Sequence, residues 1–215
     1  YNHHLGVSGF AEYAVASTDS LVKIEKDIPF EISALFGCAV MTGVGTITNT
    51  AQLKLGESVL VVGLGGVGLA AILGAVAAGA TQIIAADVNP KKREFAKQLG
   101  AHFTLDSSEK GALEELKELT NGGVDVSAEF AGVIPALDFA FQATKRGGTT
   151  VTAALPHPNA KLEISPATLV GQEKSLKGSY LGGCVPSRDI PAYVELYKTG
   201  RLAVDKLISH RINLE

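Results

Sequence analysis

Residues 57–68 read Glu-Ser-Val-Leu-Val-Val-Gly-Leu-Gly-Gly-Val-Gly. Glu57–Val62 is a short apolar run, suited to a strand buried on both faces. Gly63, Gly65 and Gly68 then fit G-x-G-x-x-G, with Gly66 and Val67 inside it. The motif alone is weak, because glycines also serve ordinary tight turns. Its place gives it meaning: it follows a buried strand and opens a helix of small apolar residues, 66–79. Gly63 permits the sharp turn out of the strand, Gly65 lets a pyrophosphate approach the backbone, and Gly68 lets the helix pack close to the sheet. The helix N-terminus adds unpaired N–H groups and a partial positive charge for that phosphate.

Outward from this turn the chain alternates. Strands are expected at 82–87, 102–105, 124–130, 149–153 and 174–181. Helices are expected at 90–99, 109–120, 134–144 and 188–199, the last starting near Pro191. Asn89-Pro90 is a good helix start, and Gly79 and Gly100 stand where helix C-caps belong. Continuously apolar strands between helices make an α/β fold with a parallel sheet covered on both faces. The expected architecture is a doubly wound Rossmann sheet of six parallel strands, order 3-2-1-4-5-6. The flanks differ. Residues 9–24 read as strands joined by a turn at Ser17–Ser20, and residues 30–51 as a helix weakened by Gly43 and Gly45.

The second strand ends at Asp87, 19 residues after Gly68. That spacing matches the acid that accepts hydrogen bonds from an adenosine ribose. A carboxylate there repels a 2′-phosphate, so NAD is favoured over NADP. Lys92, one turn into the next helix, either reaches the same ribose or is one of three solvated cations with Lys91 and Arg93. S-adenosylmethionine binding also uses a glycine turn and an acid after strand two. It ordinarily has a further acid just before the glycines, where this chain has Val61-Val62.

Composition excludes other classes. The 215 residues include 19 Lys+Arg and 22 Asp+Glu, a net charge of −3. The pI of about 6.0 argues against a nucleic-acid binder. Hydrophobic residues at 46% exclude a disordered chain. Glycine is in excess, at 24 residues. Two distant cysteines, Cys38 and Cys184, read as reduced thiols of a cytoplasmic protein and not as a disulfide scaffold. No run of 18 or more uninterrupted apolar residues marks a membrane span. No signal-peptide pattern follows Tyr1.

At larger scale the chain resembles the zinc-containing, medium-chain alcohol dehydrogenases. The resemblance rests on Phe36-Gly37-Cys38, Thr42-Gly43, the stretch 53–72 and Asp87. Thr120-Asn121-Gly122-Gly123-Val124-Asp125 and Leu181-Gly182-Gly183 also fit. It implies a division into residues 1–28 from a catalytic domain, 29–205 as the NAD-binding domain, and 206–215 as the start of a return to the catalytic domain. It implies that Cys38 is a catalytic zinc ligand and that Thr42 lies on the nicotinamide side. Val88, Phe130 and Ala131 would flank the adenine, while Ala153, Leu155 and Cys184 would supply backbone groups to the carboxamide. The remaining zinc ligands of the family have no counterpart in this chain; His3 and His4 read as exposed turn residues. The expected activity is oxidation of a small alcohol to an aldehyde or ketone, or the reverse, with hydride passing to NAD. The chain alone is expected to bind NAD without turnover. A homodimer through edge strand 174–181 is expected, with no nucleic-acid or membrane partner. The alternative is a non-enzymatic dinucleotide-binding module or sensor.

Overall fold

The computed structural model describes residue 9 and residues 11–212. Six strands form one sheet: β1 (Ser58–Val62), β2 (Gln82–Ala86), β3 (Phe103–Leu105), β4 (Val124–Glu129), β5 (Thr144–Thr152) and β6 (Ser175–Gly178). Their spatial order is β3-β2-β1-β4-β5-β6, and every pairing is parallel. This is the expected Rossmann order, with its switch point between β1 and β4.

The helices follow in chain order. They are α1 (Phe30–Thr50), α2 (Gly66–Ala78), α3 (Pro90–Gln98), α4 (Ala112–Leu119), α5 (Ile134–Ala143), α6 (Pro166–Gly171) and α7 (Pro186–Lys198). Strand side chains alternate between faces, so each central strand feeds two cores. Val59, Val61, Ile83 and Ala85 join one core, built with α1, α2 and α7. Leu60, Val62, Ile84 and Ala86 join the other, built with α4 and α5.

Helix α1 contains two π-helical segments, Phe36–Val40 and Thr46–Thr50. It is long and apolar enough to cross a membrane by composition. Here it serves as a core helix, burying Ile32, Phe36, Val40, Met41, Val44 and Ile47. Gly43 does not weaken it. A Cβ at Gly43 would stand 2.3 Å from the Val67 carbonyl oxygen of α2. The missing side chain is what lets α1 cross α2 at backbone contact.

Several boundaries depart from expectation. Residues 11–17 and 21–26 have no strand structure, and Thr18–Ser20 is a single 3-10 turn. A strand needs a partner edge, and this largely exposed segment finds none among the described residues. Phe10 of the expected strand, with His3 and His4, lies outside the described residues. The edge strand is Ser175–Gly178, shorter than 174–181, because the chain turns into a 3-10 segment at Leu181–Gly183. β5 begins earlier than expected, with a register shift against β4. Helix α7 starts at Pro186, so Pro191 lies inside it, where a proline removes one intrahelical hydrogen bond.

Candidate dinucleotide site at the carboxyl edge of the sheet

The sheet's central strands end in step. Gly63 N–H donates to the Ala86 carbonyl at 2.8 Å, and Phe130 N–H to the Val62 carbonyl at 2.8 Å. Ala153 N–H donates to the Glu129 carbonyl at 3.1 Å. These bonds bring the predicted residues Gly63, Asp87, Phe130, Ala131 and Ala153 to one edge, although they lie far apart in the chain.

The glycine turn is set by contact. Gly63 has φ +88°, a left-handed conformation, and a Cβ there would meet the Ala131 nitrogen at 2.6 Å. At Gly68 a Cβ would stand 1.9 Å from the Gly63 carbonyl oxygen. Gly65 is different. A Cβ there would meet nothing within 4 Å. The space before Gly65 is open, as an approaching pyrophosphate requires. Gly66 faces Ala39 of α1, with 3.8 Å from its virtual Cβ to the Ala39 Cβ. Val67 is half-buried.

Asp87 is nine-tenths buried at the end of β2. One carboxylate oxygen accepts from Leu64 N–H of the glycine turn at 2.8 Å. The other accepts from Asn89 N–H at 2.8 Å. The carboxylate is therefore fixed against the glycine turn. Lys92 Nζ lies 3.8 Å from Asp87 Oδ2, beside the acid, with 47% of its side chain exposed. Val88 is exposed next to it.

Glu129 had no place among the expected site residues. It is buried at the end of β4, where Oε1 accepts from Gly132 N–H at 2.6 Å and Oε2 from the Thr152 hydroxyl at 2.7 Å. It joins the wall formed by Phe130 and Ala131 to the end of β5. Its only signal in the sequence is an acid closing an otherwise buried strand. Ser179 was also missed. Its hydroxyl bonds those of Thr46, at 3.2 Å, and Thr50, at 2.8 Å, fastening the end of β6 to α1.

At the other end of the edge, Thr42 is buried, and its carbonyl accepts from the Thr46 hydroxyl at 2.7 Å. Cys38 is exposed on the first π-helical segment of α1, one residue before Ala39. Among the described residues no group of three His, Cys, Asp or Glu side chains could hold a metal. Cys38 offers one thiolate, and a catalytic zinc takes three protein ligands. These residues do not make a zinc site by themselves, and no chemistry through zinc follows from them. Leu155 is exposed in the irregular segment after β5. The Cys184 thiol points inward, 3.3 Å from the Met41 carbonyl and 3.5 Å from the Tyr193 hydroxyl. Burial pushes this thiol up from its ordinary pKa, more than the Tyr193 bond lowers it.

A family model described as zinc-binding dehydrogenase matches residues 66–199. The chain belongs to this zinc-binding dehydrogenase family. Alcohol dehydrogenase 2 of Zea mays is 38% identical over 213 residues, covering 98% of this chain and 56% of that protein. The chain thus spans about half the length of that relative. The benzyl alcohol dehydrogenase of Acinetobacter calcoaceticus superposes with a TM-score of 0.91 at 32% identity, covering 94% of this chain and 56% of its own. An alcohol dehydrogenase zinc-binding domain protein from Burkholderia ambifaria also gives 0.91, at 33% identity, covering 95% of this chain and 55% of its own.

Proposed function

We propose that this chain is the NAD-binding part of a zinc-dependent alcohol dehydrogenase acting on a small alcohol or aldehyde. The observation that carries the reading is Asp87, held by Leu64 N–H at the mouth of an open glycine turn. Gly65 and the N-terminus of α2 receive the pyrophosphate, and Asp87 accepts from the adenosine ribose with Lys92 beside it. Phe130, Ala131 and Val88 flank the adenine, while Thr42, Ala153 and Leu155 face the nicotinamide end. Bound NAD supplies the hydride acceptor. Cys38 contributes one zinc ligand to the whole enzyme, whose other ligands come from outside the described residues. Residues 1–28 and 206–215 are read as parts of the catalytic domain.

Calorimetry with the purified chain tests this. NAD is expected to bind more tightly than NADP, with no alcohol oxidation. Equal affinities in the unmutated chain would overturn the ribose assignment, and zinc-dependent turnover would overturn the division of the active site.

The outer edge of β6 is exposed and pairs with no described strand. Open edges template further pairing, which supports a two-fold dimer through residues 174–181. Light scattering at high micromolar concentration is expected to give twice the chain mass. The free thiols Cys38 and Cys184 support a reducing, cytoplasmic setting.

A further inference from the structure

Arg93 sits one residue past Lys92, on the first turns of α3. Its Nη1 donates to the Asp87 backbone carbonyl at 2.6 Å and to Asp106 Oδ2 at 3.0 Å. The guanidinium thus lies against the residue read as the ribose acceptor. An Arg in this neighbourhood is what a Rossmann site uses to receive a 2′-phosphate. Here it is already paired. Asp106, just after β3, is itself fixed. Its Oδ1 accepts from Ser108 N–H at 3.0 Å and from the Ser108 hydroxyl at 2.6 Å. Both partners are largely buried, with side-chain exposures of 20% for Arg93 and 13% for Asp106, so solvent screens the pair only in part.

We propose that Asp106 is a specificity-determining residue, which keeps Arg93 from serving a 2′-phosphate and so reinforces the preference of Asp87 for NAD. The proposal rests on the dinucleotide reading above. Two barriers then act in series. Asp87 repels the phosphate, and Asp106 withholds the one guanidinium among the three cations of this helix start, Lys91, Lys92 and Arg93. Removing Asp87 alone leaves the second barrier standing. Removing Asp106 alone leaves the first. The double change leaves Arg93 held only by the Asp87 backbone carbonyl, so its guanidinium can turn two N–H groups onto a phosphate beside a neutral ribose site.

The test is a calorimetric cycle with NAD and NADP. Asp106→Asn alone is expected to leave the NADP/NAD affinity ratio nearly unchanged. In the Asp87→Ala background it is expected to raise NADP affinity about tenfold further, the worth of one charge-assisted contact. Adding Arg93→Ala to the double variant should remove that gain. In the Asp87→Ala single background, Arg93→Ala should change NADP affinity little, because Arg93 is still held by Asp106. Asp106→Ser serves the same purpose if Asp106→Asn does not fold. A purely structural Asp106 would lower both affinities together, and that result overturns the proposal. So does a gain that survives Arg93→Ala. If the unmutated chain binds neither nucleotide, the dinucleotide reading fails first. If it binds NAD and only the second gain is missing, the failure belongs to Asp106 alone.

Discussion

The Asp87 end of the sheet edge and the Cys38 end are built on different principles. At the Asp87 end the polar groups are positioned by bonds within the domain. Asp87 is held by Leu64 and Asn89, and Arg93 by Asp106. At the Cys38 end the one expected metal ligand stands exposed, and the segment after β5, residues 153–165, has no regular structure. A preorganised site binds its ligand without first ordering its own groups. A site assembled from two bodies does not have that property until both are present. The first end should therefore behave as a finished binding site in this chain, and the second should not.

The largest expected break in this contrast is Gly68→Ala. The new methyl would stand 1.9 Å from the Gly63 carbonyl oxygen, which belongs to the backbone and cannot swing aside. Overpacking of this kind costs about 3 kcal/mol, and α2 must shift off the turn it caps. Loss of NAD binding together with a clear fall in the thermal midpoint is expected. A variant that keeps both would show that the turn is looser than its contacts indicate.

Asp87→Ala comes next. It removes the proposed ribose acceptor and also strands Leu64 N–H and Asn89 N–H. NAD affinity should fall about tenfold to a hundredfold, by the usual worth of one or two charge-assisted bonds. NADP should suffer less. Calorimetry reads both, and an equal loss for the two nucleotides would mean that Asp87 serves the turn and not the ribose.

The two cysteines compare an exposed and a packed position at the Cys38 end. Cys38 is exposed, whereas the Cys184 thiol is half-buried, and burial raises its pKa. The thiolate is the reactive form. At pH 8 Cys38 is expected to alkylate about tenfold faster than Cys184, as read by peptide mass spectrometry. Comparable rates would mean that the turn after β6 opens readily and that the contacts of Cys184 do not hold it.

The legibility of the sequence follows the same division. The glycine turn, Asp87 and the strand order could be read because each depends on local spacing: buried strands, a turn, a helix, an acid after the second strand. Glu129, Ser179 and the Arg93–Asp106 pair could not. Their roles arise from contacts such as Ser179 to Thr46 and Thr50, across more than a hundred residues, or from a pairing that periodicity does not encode. The expected strands in 9–24 failed for a related reason. Their apolar residues are real, but a strand is defined by the edge it joins. The glycines of α1 were misread as weakening when they allow close crossing, because propensity speaks of an isolated helix and Gly43 answers to α2.

The smallest expected effect concerns pH at the start of α7, which Asp189 anchors. Its carboxylate pairs with Arg188 at 2.6 Å and accepts from Val185 N–H at 2.8 Å and from Asn49 at 3.3 Å. The Arg188 bond holds its pKa below the ordinary carboxylate value; burial opposes this, and the Val185 bond supports it. A carboxylate lowered in the folded state adds stability that is present above its unfolded pKa, about 3.9. That stability is lost as pH falls through the lower folded value. Asp189→Asn should therefore lower the thermal midpoint near pH 7 by about 2 °C, a size typical of a sub-kcal change in a domain this large. The deficit should shrink as the pH drops below about 4. Asn49 bonds both Asp189 and Cys184, so the same variant should also speed alkylation of Cys184 while leaving Cys38 unchanged. A deficit that is constant with pH would assign the role of Asp189 to packing and not to its charge.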